Sequence, residues 1–144
     1  MKIAILGTRG IPNNYGGFEQ CAEYLSVGLV EKGHDVSIYS PNFHPYKDVT
    51  FKGVKIIKKS SPKHIFGNSA SNFIYDYLCL KDAVKQDFDI ILELGLITAS
   101  LSIIFCRHRG NVIATNIDGL EWKRSKWNKL IQKITKTLEK YGVK

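Results

Sequence analysis

The run Gly7-Thr8-Arg9-Gly10-Ile11-Pro12-Asn13-Asn14-Tyr15-Gly16-Gly17-Phe18-Glu19 holds the residue types that bind an anionic ligand. It follows a short apolar run, Ile3-Ala4-Ile5-Leu6, and precedes an amphipathic helical pattern. A strand, a glycine-rich loop and a helix start, in that order, aim unpaired backbone N–H groups and the positive end of a helix dipole at one point. Gly16-Gly17 let the backbone approach a diphosphate without a Cβ in the way. Arg9 offers a cation to the same group, Pro12 stiffens the approach, and Tyr15 brings a stacking face or a hydroxyl. Glu19 falls in the first helical turn, where a carboxylate suits the dipole, and either caps the loop or touches ligand.

A second constellation follows the last strand-like run. Asn116 and Asp118-Gly119 stand where that strand ends, on the edge that also carries the glycine loop. Asp118 is an acceptor-only carboxylate able to bind a hydroxyl, and Asp-Gly is also a turn former. Glu121, Trp122, Lys123 and Arg124 come next. A Trp face suits C–H surfaces and a guanidinium suits phosphate.

Three phosphate-binding motifs compete for the first loop. A P-loop needs Gly-Lys-Ser/Thr at the helix start, and this sequence has Gly-Gly-Phe-Glu. A dinucleotide fingerprint needs GxGxxG and an acid at the end of strand two; here the spacing is Gly7-x-x-Gly10 and the strand ends Ile38-Tyr39-Ser40. What remains is a long loop that carries paired glycines to the helix N-terminus. The cysteines, Cys21, Cys79 and Cys106, lie singly in apolar stretches and read as buried free thiols of a reducing cytoplasm. The four histidines are scattered, so neither metal nor resident cofactor is expected.

These residues need a scaffold, and the order of elements supplies one. At 144 residues the chain is one domain's worth, able to bury roughly two thirds of its unfolded surface. Strand runs at 2–7, 35–40, 50–58 (one strand, or a hairpin with its bend at Gly53), 89–94 and 111–116 alternate with helical patterns. Those patterns run 18–32 (Cys21, Ala22, Leu25, Leu29 and Val30 on the apolar face), from Ser69 or Ser71 to 85, 97–106 and 125–141. The second helix presents Phe73, Tyr77, Leu78 and Leu80 to the core, and residues 59–68 read as loop. The fold class is α/β: a Rossmann-like, doubly wound, mostly parallel sheet of order 3-2-1-4-5 with helices on both faces. The glycine loop and the turn at Glu93-Leu94-Gly95 then face each other across the switch point. No apolar run approaches the ~20 residues of a membrane span; the longest, 96–105, fits a buried helix. The chain is read as entering strand one after two residues, so no signal peptide is expected.

Charge is uneven. Of the net +8, residues 123–144 carry +7, from eight bases and Glu139. On the last helix Trp127, Leu130, Ile131, Ile134, Leu138 and Tyr141 recur at helical spacing, with Lys129, Lys133, Lys136 and Lys140 in a separate stripe. The apolar face is expected to pack on the sheet. The lysines either solvate the outer face or attract anionic lipid.

The run Pro12-Asn13-Asn14-Tyr15-Gly16-Gly17-Phe18-Glu19, with Leu25, Leu29 and Gly33-His34-Asp35-Val36, resembles family 4 glycosyltransferases of the GT-B class. Their amino-terminal domain shows a Gly-Gly-x-Glu loop, a Leu-rich helix and a Gly-His-x-Val turn. The run from Asn116 to Trp127 is similar to a rhamnosyltransferase-like branch whose members often carry a domain-of-unknown-function label. The resemblance spans nearly the whole chain. It implies a retaining enzyme that moves a sugar from a nucleotide sugar, as co-substrate, to a glycan or polyprenyl-linked acceptor, without a metal. Residues 1–144 correspond to the acceptor-side domain, whose loop reaches the donor diphosphate; a carboxy-terminal donor domain is expected beyond them, and the fragment alone should lack efficient transfer. Many family members have His where this sequence has Asp118, the residue in the catalytic position, and an Asp does not act as that histidine would.

Two other readings stay open: a dinucleotide-binding oxidoreductase domain, and a non-catalytic membrane- or partner-binding module. Nucleic acid is not an expected partner, since no recognition module is present. The expected location is the cytoplasm, at the inner face of the plasma membrane if the basic helix binds lipid.

Overall fold

A computed structural model describes residues 1–106, 112–117, 119–123, 125 and 127–142. The described elements are β1 (Lys2–Leu6), α1 (Gly17–Glu31), β2 (Asp35–Pro41), β3 (Thr50–Phe51), β4 (Val54–Lys59), α2 (Lys63–Ala83), β5 (Ile90–Glu93), α3 (Leu96–Cys106), β6 (Val112–Thr115) and α4 (Lys129–Gly142). A single 3-10 turn, Glu121–Lys123, precedes α4. The sheet runs β3-β4-β2-β1-β5-β6, all parallel except the β3–β4 hairpin. That is the expected α/β, doubly wound order, with the third strand opened into a hairpin. Lys52 and Gly53 both take positive φ (46° and 82°), the two-residue turn whose twist matches a hairpin.

Side chains alternate across β1. Ile3 and Ile5 join Ile11, Ala22, Val36, Ile38 and Val54 on the α1 face. Ala4 and Leu6 join Tyr39, Cys79, Leu80, Ile91, Leu96 and Ala99 on the α2/α3 face. Both faces are covered, which is why these strands read as continuous apolar runs.

Several expectations from the sequence need correction. On α1 the buried side chains are Glu19, Ala22 and Ser26, with Leu29 and Val30 half-buried; Cys21 and Leu25 are exposed, so that thiol is not a core residue. The face turns because Glu19 and Ser26 are held by backbone partners and so are tolerated inside. Residues 59–68 are not all loop, because α2 begins at Lys63 directly after Pro62, whose fixed φ suits a helix start. Its inner face carries Tyr75, Asp76, Cys79 and Leu80, while Tyr77 is exposed. The α3 run is buried on one side only; Leu101, Ile104 and Phe105 are exposed. The last helix starts at Lys129, not Ser125, because Asn128 caps it: its Oδ1 accepts the N–H of Ile131 at 2.9 Å. That helix packs on α3 and the 3-10 turn instead of the sheet, which leaves Leu130 67% and Ile134 50% exposed beside the basic stripe.

Candidate functional site

β1 and β5 are neighbours, paired to their last residues at Leu6 and Glu93. The chain leaves β1 for α1 on one face and leaves β5 for α3 on the other. The two departures open a crevice at the carboxyl edge, the place where open α/β sheets hold ligands. A cleft of about 420 Å3 lies there. The glycine loop supplies one wall, with Gly7 to Arg9 and then Tyr15 to Glu19. The turn from Gly95 to Thr98 faces it, Asn72, Tyr75 and Asp76 enter from α2, and Thr135 and Glu139 from α4 close the far side.

The loop is long because its middle belongs to the core. Ile11 is fully buried against the α1 face of the sheet, and the Ile11–Pro12 bond is cis. Gly10, at φ 92°, lies over the end of β2, where a Cβ would overlap Ser40. The loop therefore covers the strand end at which a dinucleotide fold places its ribose-binding acid. On either side of Ile11 the chain returns to the cleft.

Glu19 is 4% exposed, and its Oε1 accepts the Arg9 N–H at 2.9 Å. Its carboxylate ties the helix start to the loop while also lining the cleft. The Arg9 guanidinium lies 4.2 Å from the centre of the Tyr15 ring, which is itself 68% exposed. Cation and ring thus form one rim above the cleft. Gly16 gives α1 no side-chain cap, and nothing lies within 4 Å of a Cβ placed on Gly17, so the helix N-terminus is open.

Residues after β6 are divided. Ile117 and Gly119 line the cleft, Gly119 at φ 67°. Asn116 points its N–H to the Glu93 carbonyl at 2.8 Å, extending the strand pairing. Asp118 and Arg124 lie outside the described residues, as does the side chain of Glu121. Trp122 sits beneath the ammonium groups of Lys123 and Lys136, at 5.2 and 4.7 Å, so its ring serves the α4 interface; Trp127 lines the cleft instead.

Beneath the cleft is a feature that the motifs did not single out. Glu93 is fully buried, and Asp76 is 5% exposed. The Glu93 Oε1 accepts the Gly95 N–H at 3.2 Å, while Oε2 has no partner among the described residues. Burial, and then the neighbouring Asp76 charge, hold the Glu93 carboxyl well above the usual range. Burial pushes Asp76 up to about 7, against the pull of the Thr98 hydroxyl and the Arg9 charge. A sequence signal existed: Asp76 is the one acid in the apolar stretch from Phe73 to Leu80, where an unpaired charge is costly.

The match to known proteins is complete along the chain. A family model described as a domain of unknown function, DUF1972, matches residues 1–144. The chain belongs to this family. A curated relative from Klebsiella pneumoniae, described as an uncharacterized 42.6 kDa protein in the cps region, is 40% identical over 58 residues. That segment is 40% of this chain and 16% of the relative, so the chain spans a small part of the longer protein. Among the described residues no group of three or more His, Cys, Asp or Glu is placed to hold a metal, and no helix is long and apolar enough to cross a membrane.

Proposed function

We propose that this DUF1972 chain is the acceptor-side, Rossmann-like half of a retaining GT-B glycosyltransferase of polysaccharide assembly. The observation that carries the reading is the cleft at the β1/β5 switch point, with an uncapped helix N-terminus, Gly16-Gly17 and Arg9 on one side. Such a rim suits the diphosphate of a nucleotide sugar. Ile117 and Gly119 line the same cleft, where a glycan or polyprenyl-linked acceptor would lie. The relative's place in a cps region, a capsule locus, supports polysaccharide as the product. Its 42.6 kDa leaves room for the donor domain that would complete the site.

The test is transfer by a longer protein that carries these residues joined to a donor domain. Incubation with a panel of radiolabelled nucleotide sugars and bacterial membranes should move label into a lipid or glycan fraction. Arg9→Ala should lower that rate about tenfold, the loss of one charge-assisted phosphate contact. No transfer and no nucleotide-sugar binding would sink the reading.

Leu130 and Ile134 favour a second role alongside the first. Two exposed aliphatic side chains next to Lys129 and Lys133 give α4 the two ingredients of interfacial binding, apolar area and positive charge. Sedimentation should recover the protein with phosphatidylglycerol vesicles and not with phosphatidylcholine vesicles. Equal, negligible recovery with both would reject it.

A further inference from the structure

The floor of the cleft has a chemistry opposite to its rim. Glu93 lies directly behind two glycines of the cleft wall: a Cβ on Gly95 would be 3.7 Å from its Oε1, and a Cβ on Gly7 would overlap that oxygen. Asp76 reaches the wall itself. Beside it stands Tyr75, 6% exposed and also in the wall, whose hydroxyl has only the weakly accepting Cys79 thiol beside it among the described residues. One orphaned carboxyl oxygen, a weakly satisfied phenol and two buried carboxyls in one place are a standing cost in an empty fold. The charged and titratable groups around them are Arg9 from the loop, Glu19 from α1, Cys79 on α2, Lys59 from β4 and Glu139 from α4, with the Thr98 hydroxyl from α3. Among the described residues Arg9 alone brings positive charge to Asp76, and its guanidinium is engaged on Tyr15.

An ionised Asp76 would repel a phosphate, and the described residues hold no third ligand for a metal there. A hydroxyl fits. It donates to a carboxylate and accepts from a phenol, and it carries no charge to desolvate. We propose that Asp76, paired electrostatically with the Glu93 carboxyl buried behind the wall, forms with Tyr75 a carbohydrate-hydroxyl subsite at the bottom of the cleft. Asp76 accepts the ligand's O–H, Tyr75 donates to the same oxygen, and Glu93 keeps its own proton. A nucleotide sugar or acceptor then lies in one direction only, with its anionic end at Gly16-Gly17 and a sugar hydroxyl at Asp76. The ligand class rests on the glycosyltransferase reading; the pair itself does not.

Two measurements test this. Carbon-detected NMR of the side-chain carboxyls should show Asp76 titrating near neutral pH, and Asp76→Asn should lower the Glu93 midpoint by about one pH unit or more. An Asp76 that titrates in the ordinary carboxylate range, or a Glu93 that ignores Asp76→Asn, overturns the pair. Saturation-transfer NMR with free glucose, galactose and N-acetylglucosamine should detect at least one of them bound. That binding should strengthen as pH rises through the Asp76 midpoint, since the carboxylate is the better acceptor. Asp76→Asn should weaken it about tenfold and Tyr75→Phe about threefold, with the amide spectrum of each variant confirming its fold. No bound hexose, or equal binding by Asp76→Asn, overturns the subsite. A titrating pair and a bound hexose in a protein whose longer form transfers nothing would sink the glycosyltransferase reading and leave this one standing.

Discussion

The rim and the floor of the cleft are both built around glycine, and they use it for different ends. At the rim, Gly17 has open space where a side chain would go, and Gly16 takes extended backbone. At the floor, Gly7 is in the left-handed region at φ 77°, and a Cβ there would collide with Glu93 and lie 2.5 Å from the Gly95 nitrogen. The rim glycines leave room for something outside the protein. The floor glycine leaves room for the protein's own carboxyl group. A glycine count treats them alike; only the contacts separate a position reserved for ligand from one reserved for packing.

The largest effect expected from breaking this contrast is at Gly7. Gly7→Ala combines left-handed strain with overlap of backbone and carboxyl, and should cost about 4 kcal/mol in urea unfolding. A loss below about 1 kcal/mol would mean the floor can yield.

Next is Asp76→Asn, read as stability against pH. Asp76 ionises near its ordinary value in the unfolded chain and at about 7 in the folded one. Between those two points the folded state holds a proton that the unfolded state has lost, so stability falls as pH rises through the window. Asparagine escapes that loss. The variant should be more stable than the parent by on the order of 3 kcal/mol near pH 8, and the gap should close towards pH 4. A variant less stable at high pH would show a net favourable role for the ionised carboxylate.

The rim supplies the smaller effects on the fold. Glu19→Gln keeps an acceptor for the Arg9 N–H but removes its charge, and should cost about 1 kcal/mol in thermal unfolding. Gly17→Ala adds a methyl group to open space at a helix start and should change stability by less than about 0.5 kcal/mol. If the rim approaches a diphosphate, the same alanine should still weaken nucleotide-sugar binding in the longer protein several-fold. An alanine that leaves both quantities unchanged would move the ligand away from Gly17.

The contrast also explains what the sequence made readable. Strand order followed from apolar runs alternating with helical patterns, because strands covered on both faces, such as β1 and β5, are apolar along most of their length. The rim was readable since Gly16-Gly17 stands at a helix start that periodicity locates. The floor was readable only in part. The expected strand order already set the Glu93 turn opposite the glycine loop, and Asp76 stood out as an acid in an apolar stretch, but no spacing along the chain tied the two acids to each other. The Ser125 start of the last helix failed for a local reason, as Asn128 offered a better cap than the pattern implied. Its docking failed for a tertiary one: apolar spacing marks a face but does not say whether sheet, helix or solvent meets it.

Ile11 divides the long loop into two short spans, Gly7–Gly10 and Pro12–Gly16, each pinned at both ends. A free loop of this length would sample many shapes, and a ligand would have to select one from that ensemble. Here the selection was made when the core closed over a single isoleucine. Association at the rim should therefore carry little conformational-entropy penalty, and its rate should be set by encounter with the Arg9–Tyr15 pair instead of by loop rearrangement.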